Sequence, residues 1–210
     1  MTIIRKIAYN TIVSTGARVI AVALSLIGLG LITRYLGKEG FGNYSLVLAF
    51  LYIFNILADL GLYSLMTREI SRPEVDEKKV ASNIFTIRIV ALLIFLGLAI
   101  ICIWFLPYAP QVKLGVIIGS FSYFFLSASQ VLMGIFQKYL KISKAGLADI
   151  IGRLIQLGLV IVFIHLNLGF FAILWALVVS CAGNFIINWF FARKYVSLVL
   201  AFDWVLWKNY

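Results

Sequence analysis

Five ionisable side chains lie inside long apolar stretches of the sequence, where a charge needs a partner, water or a route to the membrane surface. They are Arg18, Asp59, Arg88, Asp149 and Arg153. A charged side chain in hydrocarbon costs at least about 2.5 kcal/mol by insertion scales, so such residues call for an explanation. Guanidinium groups bind phosphate through charge and paired hydrogen bonds. We therefore expect Arg18 and Arg88, together with Arg153, to bind a phosphate-bearing ligand.

Each of these charges also has a simpler explanation. Arg88 and Arg153 stand close enough to the ends of their stretches for their side chains to snorkel to the headgroups. A structural ion pair between Arg18 and Asp59 is the alternative for those two residues. Asp149 and Arg153 have i,i+4 spacing, so we expect them to pair along one helix. In the binding interpretation, Asp59 orients an arginine or responds to a coupling ion.

Polar residues also recur at the spacing of three and four that places side chains on one helix face. Four stretches carry such a row: Thr11, Ser14, Thr15, Arg18 and Ser25; Ser45, Tyr52, Asn55 and Asp59; Ser120, Tyr123, Ser127, Gln130, Gly134 and Gln137; and Ser180, Asn184 and Asn188. Together the rows predict a hydrophilic cavity between helices that includes Asn55 and Gln130. For any single row, helix packing is the alternative, because small polar residues also join membrane helices.

The elements that must position these residues are long and continuously apolar. Hydrophobic residues make up 63% of the 210 residues and charged residues 12%, where a soluble domain has about 25% charged. A chain in hydrocarbon must satisfy its own backbone, and no strand-like alternation indicates a barrel. The sequence predicts an all-α membrane protein, a six-transmembrane-helix bundle with spans at residues 11–35, 44–66, 84–106, 114–136, 147–166 and 170–192.

Basic residues are distributed unevenly around these spans. Twelve Lys and Arg residues flank one set of span ends and three flank the other set. Because cations are retained on the cytoplasmic side, we expect both termini in the cytoplasm and a multi-pass protein in the cell (plasma or inner) membrane. The formal charge of +10 then reflects topology, and we expect no nucleic-acid partner.

Sequence signatures of catalysis are missing. The HExxH, GxSxG and phosphate-loop motifs do not occur, and Cys102 and Cys181 lie in apolar runs without CxxC spacing. We therefore expect no enzymatic activity, no catalytic residue, no metal and no cofactor. The segment 197–210 mixes aromatic and charged residues, which predicts an interfacial amphipathic helix.

Three stretches of the chain resemble one known family. The first reads RYLGKEGFGNY at residues 34–44, the second combines ADLGL at 58–62 with TREIS at 67–71, and the third is FDW at 202–204 followed by Trp207 and Lys208. They are similar to the first turn, the end of the second span and the later linker of Wzx-type polysaccharide flippases. That family belongs to the superfamily of multidrug, oligosaccharidyl-lipid and polysaccharide exporters. The resemblance covers essentially the whole chain.

The resemblance implies that residues 1–196 form the N-terminal six-helix lobe of a two-lobe exporter, with residues 197–210 as an interfacial linker toward a second lobe. We expect the second lobe to be the remainder of a longer chain, and the alternative is that a second chain supplies it. The implied function is alternating-access transfer of a polyprenyl-pyrophosphate-linked oligosaccharide across the lipid bilayer, beside a polysaccharide polymerase and glycosyltransferases. The alternatives are an ion-coupled multidrug exporter of the same fold and a non-transporting membrane scaffold for polysaccharide assembly.

Overall fold

Six α-helices follow one another along the part of the chain that the structure describes. The computed structural model describes residues 3–59, 61–72 and 75–203, with side chains described from residue 12 onward. The helices are α1 (Ile3–Asp59), α2 (Leu62–Ile70), α3 (Glu77–Phe105), α4 (Pro110–Lys138), α5 (Ile142–His165) and α6 (Gly169–Ala192). No strand occurs in these described ranges, which agrees with the all-α prediction.

Local sequence signals explain where several of these helices begin and end. Asp76 caps α3 by accepting a hydrogen bond from the Lys79 backbone N–H at 3.1 Å. Pro110 occupies the first position of α4, where a missing N–H does no harm. The turns after α4 and α5 contain positive φ angles at Leu140 and Asn167. These short turns make α4, α5 and α6 consecutive antiparallel neighbours.

The long helix α1 is bent at Gly37, where the backbone has φ 65° and ψ −173°. That combination is essentially restricted to glycine. The arm before Gly37 runs alongside α5 in the same direction, because Ala17 lies against Gly146 and Gly28 lies near Leu157. The first arm of α1 therefore begins at the same end of the bundle as α5.

The arm after Gly37 runs alongside α4 instead. Val47 lies against Gly115, and further along the chain Met66 of α2 lies against Gly134. Because α4 and α5 are antiparallel, the two arms of α1 also run in opposite directions. The chain reverses at the LGKEG turn that the sequence placed between the first two spans.

A second backbone break separates α1 from α2 at Gly61, which adopts a left-handed conformation with φ 75° and ψ 12°. The predicted span 44–66 is therefore divided between two helices. The sequence carried the signal, since glycine is the usual residue at a left-handed helix end. The long, mainly apolar stretch on both sides of Gly61 obscured this signal.

Five helices of the described chain are long and apolar enough to cross a membrane. They cover Ile12–Ile70, Glu77–Phe105, Pro110–Lys138, Ile142–His165 and Gly169–Ala192. The first of these contains both the bend at Gly37 and the break at Gly61. The last four overlap the last four predicted spans, whereas a bundle of six spans in a two-lobe protein stays a prediction.

Helix α4 is the centre of the bundle, because it packs against every other helix. Fully buried apolar side chains from the second arm of α1 and from α2, α3, α4 and α6 form one cluster that includes Leu51, Met66, Leu92, Leu132 and Leu174. The first arm of α1 and α5 bury far fewer residues and present apolar side chains outward. Outward apolar side chains are what a lipid environment favours.

The segment after α6 is not helical as far as it is described. Residues 197–203 run along the start of α3, so the predicted amphipathic helix does not include them; residues 204–210 lie outside the described part. Three backbone N–H groups of the segment donate to Ser82 Oγ, Asn83 Oδ1 and Thr86 Oγ1 at 3.1, 2.8 and 3.0 Å. Side-chain acceptors on α3 therefore replace the hydrogen bonds that a helix would have made.

Candidate functional site

A cavity of about 420 Å³ lies between α1, α4, α5 and α6. It is one part of the space that the polar rows predicted. Its polar wall consists of Ser14, Thr15 and Arg18 from α1, Ser129 and Gln130 from α4, Asp149 from α5, and Asn184 and Asn188 from α6. Two of the four rows, those on α1 and α6, therefore line one cavity.

Arg18 is the cation of this cavity. Its side chain is exposed, and no carboxylate within the described ranges forms an ion pair with it. The structural pair between Arg18 and Asp59 does not form, because Asp59 pairs with another arginine. An apolar helix thus carries a guanidinium that lines a cavity together with polar residues of four helices.

Asp149 and Arg153 form the i,i+4 pair that their spacing predicted, with 3.5 Å between Arg153 Nε and Asp149 Oδ1. Both side chains are partly exposed. Asp149 also lines the cavity, whereas Arg153 does not. The structure therefore places Arg18 in the cavity without Arg153 beside it.

Arg88 lies elsewhere, in the packed interior between α1, α3 and α4. Its side chain is 0% exposed, so it does not snorkel to the headgroups. It forms an ion pair with Asp59 at 2.7 Å and donates to the Ala58 carbonyl at 2.9 Å. It also donates to Ser127 Oγ at 2.6 Å and Gln130 Oε1 at 3.4 Å. These contacts hold three helices together, and Arg88 does not line the 420 Å³ cavity.

A second cavity of about 430 Å³ lies beside this buried arginine. It is lined by Tyr52, Asn55, Ile56, Asp59, Gly61 and Gln130. Asn55 is buried and accepts a hydrogen bond from Ser127, whereas the Asp59 side chain is 39% exposed. Gln130 lines both cavities, so it stands between Arg18 on one side and the Arg88–Asp59 pair on the other.

The long polar row on α4 is mostly a packing surface. Tyr123 donates to the Leu48 carbonyl at 2.8 Å, Ser127 pairs with Asn55, and Gln137 donates to Tyr63. Each contact joins α4 to the second arm of α1 or to α2. Helix packing, the alternative for any single row, is thus the correct interpretation for this one.

Six polar residues of this cavity are missing from the predicted site residues: Ser14, Thr15, Ser129, Asp149, Asn184 and Asn188. Four of them, Ser14, Thr15, Asn184 and Asn188, belong to two of the polar rows, for which helix packing and a cavity were the alternatives. For Asp149 the sequence predicted only the ion pair with Arg153 and no place in a cavity. Ser129 had no signal, because it lies outside the row that contains Ser127 and Gln130.

A polar network closes one end of the bundle, where α3 begins and α4 ends. Lys138 forms an ion pair with Glu77 at 2.6 Å and donates to the Ile70 carbonyl. Tyr139 donates to the same carboxylate, and this hydrogen bond raises the pKa of Tyr139 to about 12. The network joins α2, α3 and α4 and lines neither cavity. No group of three or more His, Cys, Asp and Glu residues that could hold a metal occurs among the described residues.

Comparison with known proteins identifies the family. Residues 7–205 match the model of a family described as polysaccharide biosynthesis protein. No curated protein and no solved structure matches the chain significantly. The family match spans nearly all of the chain and agrees with its long apolar helices. The chain is therefore a multi-pass membrane protein that belongs to the polysaccharide biosynthesis protein family.

Proposed function

We propose that this protein is a flippase that moves a polyprenyl-pyrophosphate-linked oligosaccharide from the cytoplasmic to the outer leaflet of the cell membrane. Its family supports a role in polysaccharide biosynthesis. The observation that carries the proposal is Arg18, a guanidinium without an ion pair among the described residues, which lines a cavity with polar residues from four apolar helices. Charges within membrane segments are costly and mark substrate pathways. An anionic lipid headgroup supplies the opposite charge that Arg18 lacks within the described residues.

In this proposal the side chains divide the ligand between them. Arg18 binds the pyrophosphate with its paired donors, and the neutral polar residues of the wall, including Gln130, surround the sugars. The polyprenyl tail stays in the bilayer against the apolar faces of α1 and α5. Arg88 acts as a positioning residue, since its ion pair and hydrogen bonds are to Asp59, Ala58, Ser127 and Gln130. The protein performs no covalent chemistry on the ligand.

We also propose that the described helices make six membrane crossings, with the turn at Gly37 between the first two. The opposite directions of the two arms of α1 support this count. Both termini then lie in the cytoplasm, and the lobe rocks against a second lobe in alternating access. That second lobe is either the remainder of a longer chain or a second chain.

Replacing Arg18 tests the proposal directly. The Arg18→Ala protein is expected to lose at least about 90% of the flipping rate, since one charge-assisted bidentate contact contributes more than a tenfold effect. Its abundance is expected to stay normal, because Arg18 is exposed and its loss strands no carboxylate. The measurement uses full-length protein in liposomes with a labelled polyprenyl-pyrophosphate oligosaccharide.

Arg193→Ala is the matched control, since Arg193 is an exposed arginine outside both cavities. It is expected to flip at the wild-type rate. Normal flipping by Arg18→Ala would remove Arg18 from the site. If wild-type liposomes move no lipid-linked sugar, the scaffold alternative gains, and movement of a cationic drug in its place would indicate the multidrug exporter.

A further inference from the structure

Two residues that line the 420 Å³ cavity each carry one buried polar atom with no hydrogen-bond partner within the described structure: Ser129 Oγ and Asn188 Oδ1. Ser129 is 9% exposed and Asn188 is 5% exposed. An unsatisfied buried polar atom costs about 1–3 kcal/mol relative to a paired one. Native proteins contain few such atoms, so two in one cavity wall need an explanation.

Ser129 is an exception among the buried serines of the described chain. Ser120 and Ser122 on the same helix donate to backbone carbonyls at 2.7 and 2.6 Å, and Ser127 pairs with Asn55. Ser180 on α6 donates to the Gly152 carbonyl at 2.7 Å. A buried serine in this bundle is thus normally paired. Ser129, which lines the cavity, is not.

The unpaired atom of Asn188 does not depend on how its amide is oriented. Asn188 Nδ2 donates to Asn184 Oδ1 at 2.8 Å, which leaves Asn188 Oδ1 unpaired. If both amides are turned over, the carbonyl oxygen takes that contact and the NH₂ group is left unpaired. Either orientation leaves this buried amide one hydrogen bond short on the cavity wall.

The chemistry of the missing partner follows from these two groups. A serine hydroxyl donates and accepts, and the amide of Asn188 supplies one or the other. A phosphate ester has no donor for the amide oxygen, and a hydrocarbon chain has neither donor nor acceptor. A ligand hydroxyl is able to pair with either residue, whichever way the amide of Asn188 is oriented. Ligands rich in adjacent hydroxyls are sugars.

We propose that Ser129 and Asn188 form a subsite for a sugar hydroxyl of the ligand, separate from the phosphate contact at Arg18. This inference rests on the flippase proposal and deepens it, because it divides the cavity into an anion part and a carbohydrate part. The subsite gives selectivity for the sugar-bearing lipid over the bare lipid pyrophosphate. A site built to hydrogen-bond a hydroxyl discriminates strongly against the ligand that lacks it.

The test compares two lipids on the full-length protein in phosphatidylcholine nanodiscs, with binding followed by native mass spectrometry. The probes are undecaprenyl pyrophosphate carrying one N-acetylglucosamine and undecaprenyl pyrophosphate without sugar. Wild type is expected to bind the sugar-bearing lipid at least about tenfold more tightly. Ser129→Ala and Asn188→Leu are each expected to lower that affinity about tenfold and to leave the affinity for the bare lipid unchanged.

Two further variants separate the parts of the cavity. Arg18→Ala is expected to weaken the binding of both lipids, and Ser122→Ala, whose hydroxyl is already paired in the same helix, is expected to change neither. Thermal unfolding adds a second measurement. Because Ser129→Ala removes an unpaired buried atom, its melting temperature is expected to equal or exceed that of wild type.

The outcomes distinguish this subsite from the flippase proposal. Equal wild-type affinity for both lipids, with both lost in Arg18→Ala, overturns the subsite and leaves the flippase proposal standing. Unchanged sugar selectivity in both subsite variants has the same meaning and assigns the two atoms to bound water. Competition by phosphatidylglycerol as strong as by the sugar-bearing lipid assigns the hydroxyl to a phospholipid and also overturns the subsite. Binding of neither lipid by wild type overturns both proposals.

Discussion

The guanidinium of Arg88 stays buried because acceptors from two other helices surround it. Asp59 and the Ala58 carbonyl come from α1, and Ser127 comes from α4. A buried ion pair of this kind adds little net stability over an apolar pair, but losing one partner leaves an uncompensated charge in the interior. The asymmetry between the partners decides which substitution does harm, since Arg88 is 0% exposed and Asp59 is 39% exposed.

Asp59→Ala is therefore expected to destabilise the protein by roughly 3 kcal/mol, because it strands the Arg88 charge. The double variant Asp59→Ala/Arg88→Met is expected to recover part of that loss, since it removes the stranded charge as well. Thermal unfolding in detergent measures both variants. A double variant no more stable than Asp59→Ala would contradict this account.

Asp149→Ala is the matched control for that prediction. It removes the partner of Arg153, whose side chain is 39% exposed and can be hydrated in place. The loss of stability is expected to stay below about 1 kcal/mol. The two aspartates thus separate a buried ion pair from an exposed one within the same protein.

At this scale the sequence predicted which residues are unusual but not which of them meet. Arg18, Asp59 and Arg88 were recognised from their charge in apolar runs, and Asp149 with Arg153 from their spacing. Depth along a helix leaves the rotation of one helix against another undefined. The sequence therefore did not show that Asp59 pairs with Arg88 and not with Arg18. Partner choice depends on tertiary packing, which a single sequence does not contain.

Among the elements, the end of α1 at Asp59 is where the membrane environment makes the strongest demand. The last carbonyls of a helix have no intrahelical donor, and hydrocarbon supplies none. Arg88 donates to one of them, the Ala58 carbonyl, immediately before the left-handed Gly61. A cation at a helix C-terminus also interacts favourably with the helix dipole. The break and the buried arginine thus stabilise one another.

Close packing of α4 against α2 gives a prediction for glycine. A Cβ on Gly134 would lie 2.7 Å from Met66 Cγ and 3.3 Å from Met66 Cβ, and the second of these atoms cannot rotate away. Gly134→Ala is expected to destabilise the protein by about 1–3 kcal/mol through overpacking. Its thermal unfolding temperature in detergent, compared with wild type, measures the loss.

Gly97→Ala is the control for that substitution, because nothing lies within 4 Å of a Cβ at Gly97. It is expected to leave the unfolding temperature unchanged or to raise it, since alanine reduces the entropy of the unfolded chain. If both variants unfold at the wild-type temperature, α4 and α2 do not pack as closely as described.

Helix existence was predictable from the lengths of the apolar runs, and helix interruption was not. The last four predicted spans overlap α3, α4, α5 and α6, because a run of about 20 apolar residues in lipid has only the helix available. The same argument ran the second span across Gly61. The tail at 197–203 departs from its amphipathic pattern because Ser82, Asn83 and Thr86 offer acceptors from a distant part of the chain.

Over the whole molecule, the distribution of charge sets the orientation in the proposed function. Single cysteines at Lys78 and Lys113 test it in a background in which Cys102 and Cys181 are replaced by alanine. Lys113→Cys is expected to react with a membrane-impermeant maleimide on intact cells, and Lys78→Cys only after the membrane is opened. The cysteine-free background should stay unlabelled, and the reverse pattern would overturn the assignment.

Gln130 lines both cavities while its Oε1 accepts a hydrogen bond from Arg88 at 3.4 Å. A ligand group that takes this oxygen competes with Arg88 for it. Such coupling is reciprocal. If the ligand weakens the contact between Arg88 and Gln130 by some factor, that contact weakens ligand binding by the same factor. Through Gln130, ligand binding in the cavity and the hydrogen bond that joins Arg88 to α4 are therefore coupled.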